Sequence, residues 1–319
     1  MNALAWDWEV FTAAVGDAVW APSIHNSQPW RFRCTQAGID LLADPGRGLP
    51  ACDPDGRAVR VSCGAAAYNL RLALAVAGAP AEYALGRAGV LVRLTPAAAR
   101  PANPQQHRLY REIRRRHTNR SPFSEVPVEA AAVARLVEAA HDEGGWLHLV
   151  TGGKALTDVA ELIRTADAKL SADPAYVAEL RAWSSAADQR VEGVDRRAAG
   201  AAPHPAELLT RRDFGGPAHD TTRELSREPL VAVLGVPGEA PADEVRAGMV
   251  LQRVLLTAAD LGLAAAMFSQ PIEVPAVRER LRRLLGRADA PQLVLRFGYA
   301  PTTCFTNRRP VADVIEPES

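Results

Sequence analysis

The sequence predicts an α+β fold made of two tandem half-units, and three observations carry that expectation. Helical and strand periodicities intermix along the chain instead of alternating strictly. A fifteen-residue helical segment occurs twice: GAAAYNLRLALAVAG from Gly64 to Gly78, and GMVLQRVLLTAADLG from Gly248 to Gly262. Each copy starts on a small residue and ends on a glycine suited to a helix C-terminus. Upstream of each copy a helix leads into a strand that opens on tryptophan, WRFRC at Trp30 and WLHLV at Trp146. Trp30 and Trp146 are offset by 116 and Gly64 and Gly248 by 184, so the second half carries about 68 extra residues between Val150 and Gly248.

In chain order, helical spacing marks Trp8–Trp20, Gly64–Gly78, Val128–His141, Ala155–Leu170, Ala175–Trp183, Asp243–Leu261 and Val274–Leu285. Strand-like runs are Trp30–Cys34, Ile39–Ala43, Val90–Leu94, Trp146–Val150, Leu230–Leu234, Ala264–Phe268 and Gln292–Gly298. A short β-like stretch follows each repeated helix. The expected halves are residues 1–105 and 106–319, with an insertion at about 151–225. Polar, glycine-containing sequence across Ala186–His219 suits either a surface loop or a lid over a site.

Lysine plus arginine equals aspartate plus glutamate at 37 each, so no global field points to nucleic acid or membrane. MNALAWDWEVF lacks the basic and apolar regions of a signal peptide, and no apolar run reaches about 18 residues. The expectation is a cytoplasmic protein. Cys34, Cys52, Cys63 and Cys304 form no CxxC pair and read as free thiols. No histidine has an i, i+4 partner, so no metal site is expected. Trp6, Trp8, Trp20 and Trp183 read as core residues.

Three motifs carry chemistry. APSIHNSQPWRF, from Ala21, packs hydrogen-bonding side chains into a turn before a strand, although such turns are also routine connectors. RHTNR, Arg116–Arg120, sets two arginines either side of a hydroxyl, which suits one phosphate; a solvated basic face is the plainer alternative. RRP at Arg308–Pro310 is either a basic tail or the rest of such a clamp.

Together with MFSQPIE at Met267–Glu273, these motifs resemble those of FMN-dependent nitroreductases, closest to the Acg-like, dormancy-associated branch. HNSQPWRF, SCGAAAYNLR, RRHTNRSPF, SQPIE and RRP follow its pattern in order. The resemblance implies a nitroreductase-like fold with the family's dimer fused into one chain as an internal pseudo-dimer, a monomer by that reading, with a higher oligomer left open. It implies that Arg116, Thr118, Arg120, Arg308 and Arg309 bind the FMN phosphate. Pro22, Ser23, His25, Asn26 and Gln28 would line the ring or ribityl chain, with Ser269 and Gln270 beside the ring edge. The QPW turn occurs once and the phosphate motifs once, so one FMN per chain is expected. The space of the lost second site would be open to the insertion. The first fifteen residues hold no arginine, unlike an ordinary nitroreductase N-terminus. The implied activity passes electrons from NAD(P)H through FMN to a nitro compound, quinone or similar small acceptor, with no obligatory catalytic acid or base. The alternative is a non-catalytic FMN-sequestering or storage protein closed by its lid.

Overall fold

The computed structural model describes residues 5–86, 89–185, 191–204, 207–217, 230–301 and 305–316. Helix α1 (Trp8–Ala18) is N-capped by Asp7, whose carboxylate accepts the Glu9 N–H. A hairpin of β1 (Trp30–Cys34) and β2 (Ile39–Ala43) leads to α2 (Arg57–Val76), β3 (Ala81–Leu85) and β4 (Val90–Pro96). These strands form an antiparallel sheet in the order β1-β2-β4-β3. Helix α3 (Pro104–Glu112), opened by a capping box between Asn103 and Gln106, crosses to the second half.

The second half repeats the plan. Helix α4 (Ala130–Asp142) precedes β5 (Trp146–Val150). The inserted segment follows, with α5 (Gly153–Ser171), α6 (Pro174–Trp183) and the short parallel pair β6 (Ser184–Ser185) and β7 (Val194–Asp195). Then come β8 (Leu230–Gly235), α7 (Pro241–Asp260), β9 (Ala264–Phe268), α8 (Gln270–Glu273), α9 (Pro275–Leu284) and β10 (Pro291–Gly298). The second sheet runs β5-β8-β10-β9, antiparallel throughout. Taken in chain order, the two sheets have the same strand order, and α2 and α7 occupy the same place in each. Four residues, 35–38, join β1 to β2, whereas residues 151–229 join β5 to β8. The excess seen as an offset of 68 therefore falls between β5 and β8.

The two halves meet along α2 and α7. A Cβ on Gly64 would lie 1.9 Å from the Val245 carbonyl oxygen, and one on Gly248 would lie 1.9 Å from that of Val61. Only glycine at both positions lets the two backbones approach this closely. Farther along, Gln252 Nε2 donates to Asn69 Oδ1 at 2.7 Å, and Asn69 Nδ2 donates to the Asp17 carbonyl. Val245, Met249 and Leu256 of α7 enter the first half's core, and Val61 of α2 packs on the second.

Strand alternation explains how the second sheet is covered on both faces. Ala232, Leu234, Leu293, Leu295 and Phe297 face α4 and α7, whereas Val231, Val233 and Val294 face α5 and α9. Trp8, read as core, is 50% exposed, because α1 turns Phe11, Ala14 and Val15 inward instead. Cys34, Cys52 and Cys63 are buried; Cys304 lies outside the described residues. No helix among the described residues is long and apolar enough to cross a membrane.

Gly64→Ala or Gly248→Ala should cost about 1–3 kcal/mol through overpacking against backbone that cannot yield, despite alanine's better helix propensity. Urea unfolding reads this, with Gly153→Ala as control, since a Cβ there would meet nothing within 4 Å. Equal midpoints for all three variants would remove the close approach from its structural role.

Candidate functional site

Between the halves lies a cavity of about 480 Å³. Its walls come from the turn after α1, the start of α2, residues Thr118–Arg120, the β9–α8 corner and the insertion. Of the residues singled out by sequence, Pro22, Ser23, His25, Thr118, Arg120, Ser269 and Gln270 line it.

The turn is strained. His25, Asn26 and Gln28 have φ values of 50°, 55° and 51°, which are the positive values among non-glycine residues of the described chain. Their conformation is over-determined by side-chain bonds. Ser23 Oγ accepts the Gln28 N–H, and Ser62 Oγ accepts the Ile24 N–H. Asn26 Nδ2 donates to the Gly193 and Asn307 carbonyls. Gln28 Nε2 donates to the Val191 carbonyl at 2.7 Å while its Oε1 accepts the Arg309 N–H. Asn26 and Gln28 therefore stand behind the cavity wall, tying the turn to the insertion and the C-terminal segment.

Both basic motifs reach the site by adding to a sheet edge. Asn119 N–H donates to the Ala265 carbonyl, pairing Thr118 in parallel with β9, the edge of the second sheet. Phe32 N–H donates to Val314 O and Glu316 N–H to Phe32 O, so residues 314–316 extend along β1, the edge of the first. That pairing brings Arg308 and Arg309 back to the turn.

Arg116, Arg120 and Arg308 then form a buried cationic cluster. Arg116 donates to the Trp20 carbonyl through Nη2, but its Nε and Nη1 have no partner among the described residues, nor has Arg308 Nε. Arg308 spends its Nη groups on Asn26 Oδ1 and on main-chain and hydroxyl oxygens of Trp20, Ala21, Thr306 and Asn307. Burial, and then Arg120, pull the Arg116 guanidinium down to about 10. Burial, and then Arg116 and Arg120, pull Arg308 down to about 9. Arg120 is also pulled down to about 10 by burial; Asp195 opposes, and Arg212 and Arg211 add to the depression. Three clustered like charges, two of them with donors unpartnered among the described residues, make a place for a multivalent anion. Arg309 stands apart from this cluster, contrary to expectation. Its guanidinium bonds the Gln28 and Asp313 carbonyls and lies 3.6 Å from Asp44, so its charge is spent on holding the tail.

The insertion supplies residues that sequence reasoning missed. Arg212 forms a salt bridge with Glu273 at 2.7 Å, both side chains at least nine-tenths buried, and stacks over Tyr176 at 5.6 Å. It also bonds His25 Nε2. An arginine only donates, so Nε2 accepts, the His25 proton sits on Nδ1, and that buried N–H has no partner among the described residues. Phe214 meets His25 edge-on and lies beneath the Arg120 guanidinium. Arg120 donates to the Ala198 carbonyl, and Arg211 donates to the Arg120 carbonyl. The insertion thus covers the cavity beside the QPW turn, with which its polar groups pair. A separate surface pocket, lined by Tyr68, Arg71, Tyr83, Glu143 and Arg253, lies at the corresponding α4–β5 corner. The expected lid, Ala186–His219, is described only for 191–204 and 207–217. The run RRDF at Arg211–Phe214 was its one legible signal.

Comparison with known proteins places these features in a lineage. No family model matches the chain. It is 31% identical over 327 aligned positions to "Putative NAD(P)H nitroreductase Rv3131" of Mycobacterium tuberculosis, covering 99% of this chain and 94% of that protein. The chain belongs to the nitroreductase family. Within it, "Putative NAD(P)H nitroreductase acg" of the same organism is 29% identical, with 96% and 95% covered, and the Acg-like branch is where this nitroreductase falls. An FMN-bound nitroreductase structure from Desulfitobacterium hafniense aligns with 66% of the chain and 98% of its own, at 16% identity and a TM-score of 0.43.

The His25 ring predicts a pH dependence. Burial first, then Arg212 and Arg120, hold it well below its ordinary value of 6.5, so it is neutral when folded. The unfolded chain takes up the proton first as pH falls, and stability present above about 6.5 is lost progressively below it. His25→Gln should flatten the difference in unfolding free energy between pH 7.5 and pH 5.5. An undiminished difference would assign the acid sensitivity to other groups.

Proposed function

We propose that this nitroreductase holds one FMN per chain and passes electrons from NAD(P)H to a nitro compound, quinone or similar small acceptor. The observation that carries this reading is the cluster of Arg116, Arg120 and Arg308, in which donors of Arg116 and Arg308 have no partner among the described residues, beside a cavity between two repeated halves that Arg120 lines. A phosphate supplies what that cluster lacks: negative charge and several acceptor oxygens within reach of buried forks. Bound FMN would supply the two-electron chemistry, which is the cofactor's own.

The chain's residues bind, orient and exclude water. Arg116, Arg120, Arg308 and the Thr118 hydroxyl would hold the phosphate. Pro22, Ser23, His25, Ser269 and Gln270 would border the ring, with the free His25 Nδ1–H as a donor toward it. Asn26, Gln28 and Arg309 are positioning residues that fix the turn and the tail. The Arg212–Glu273 pair holds the insertion against the site, which excludes water and restricts access from that side. No side chain is needed as an obligatory acid or base.

The repeated sheets support reading residues 1–105 and 106–319 as fused half-units, with about 151–225 as an insertion in the second. Only one pair of halves brings the QPW turn to the phosphate motifs, hence one site. That arrangement leaves the monomer able to work without a partner subunit.

Purified protein should therefore release one FMN per chain on denaturation, and two would contradict the fused arrangement. Arg116→Ala or Arg120→Ala should cost about 2–5 kcal/mol in FMN binding, by leaving a phosphate charge buried and unpaired, and leave riboflavin binding nearly unchanged. Equal loss for both ligands would place these arginines away from the phosphate.

Anaerobic stopped-flow mixing with NADPH or NADH tests the enzyme reading. Rapid bleaching of the flavin band supports it. No bleaching in the native protein, restored by Arg212→Met, would instead support a sequestering protein latched by the insertion. Wholesale removal of residues 191–217 is not an equivalent test, since the turn would lose its bonds to Val191 and Gly193.

A further inference from the structure

A second set of unsatisfied donors lines the same cavity and shares no partner with the phosphate cluster. Arg57, at the start of α2, Arg278, on α9, and Gln292, on β10, all border it. Gln292 is 4% exposed. Its Oε1 accepts from Arg57 Nη1 at 3.0 Å, yet its Nε2 has no partner among the described residues. Arg278 donates through Nε to the Pro291 carbonyl at 2.9 Å, and its Nη2 is likewise unpartnered.

The nearby carboxylates do not neutralise this corner. Glu239 is 3.8 Å from Arg278 and is itself 56% exposed. Glu244 is shared between Arg57, at 3.2 Å, and Arg60. The two carboxylate oxygens of Asp53 accept the Ala58 and Val59 N–H groups, and Glu279 is held by Arg282 and Arg283. Asp55 is exposed. Two arginines from opposite halves thus converge with an amide whose N–H₂ points at nothing.

We propose that Arg57, Arg278 and Gln292 form a receptor for an anionic group, phosphate or carboxylate, on the molecule that reacts in this cavity. Such a group accepts from the Arg278 fork and the Gln292 amide while Arg57 balances its charge. The inference rests on the cavity being the reaction site, and it assigns to that site a preference for acidic reactants. A phosphate would come from the nicotinamide donor, favouring NADPH over NADH; a carboxylate would come from the acceptor.

Calorimetric titration of the protein as purified separates these sources. Adenosine 2′-monophosphate is compared with adenosine, and 4-nitrobenzoate with 4-nitrobenzamide. In at least one pair the anion should bind about tenfold or more tightly than its neutral counterpart. Arg57→Met and Arg278→Met should each reduce that ratio to below about threefold, and Arg278→Lys should retain part of it, with circular dichroism and flavin content unchanged. No anion preference in either pair, or a preference that survives both methionine variants, overturns the proposal. Flavin content is read independently, so absence of FMN would refute the functional reading while the anion preference remained measurable.

Discussion

The close approach of α2 and α7 at Gly64 and Gly248 is the contact on which the rest depends. Each glycine lies against a backbone carbonyl of the other helix, so neither can acquire a side chain without parting the halves. Because the halves meet there, the turn after α1 and the β9–α8 corner face each other across one cavity. Part of that cavity's border comes from α2, β9, α9 and β10, elements of both halves that meet across this contact. A site built on such a seam is rigid by construction, which is what holding a large planar ligand requires.

On this frame the chemistry is delivered by strand addition. The Thr118 segment pairs with β9 and the 314–316 segment with β1, each using an edge that would otherwise expose unpaired N–H and C=O groups. Closing an edge and placing an arginine are one event. The insertion then finishes the enclosure: Gly193, Val191 and Arg212 satisfy groups of a turn whose left-handed residues would be costly alone. Strain in the turn and the presence of the insertion are two sides of one arrangement.

Much of this was legible in the sequence where local pattern decides structure. The repeated glycine-bounded helices were visible, and β1, β2, β5 and β9 run between the residues expected. What escaped detection did so for physical reasons. Strand β3, AEYAL, alternates only between half-buried and exposed positions, and α3 buries Leu109 alone, so neither shows a strong apolar period. The motif turn was legible as a site, but the division of labour inside it was not. Asn26 and Gln28 look like ligands by type; that their side chains bond partners some 160 and 280 residues away could not be read from the sequence. The partners of Arg309 were hidden for the same reason, and Arg212, Arg278 and Gln292 gain meaning only from what surrounds them.

The pairing of Gln28 with Arg309 spans 281 positions of sequence. A ribosome releases the chain from its N-terminus, so the first sheet is outside the exit tunnel long before the segment that completes it exists. During that interval β1 has an open edge and the turn lacks its C-terminal anchor. Completion of the turn and of the first sheet therefore falls at the end of synthesis, with the open β1 edge exposed to other chains until then.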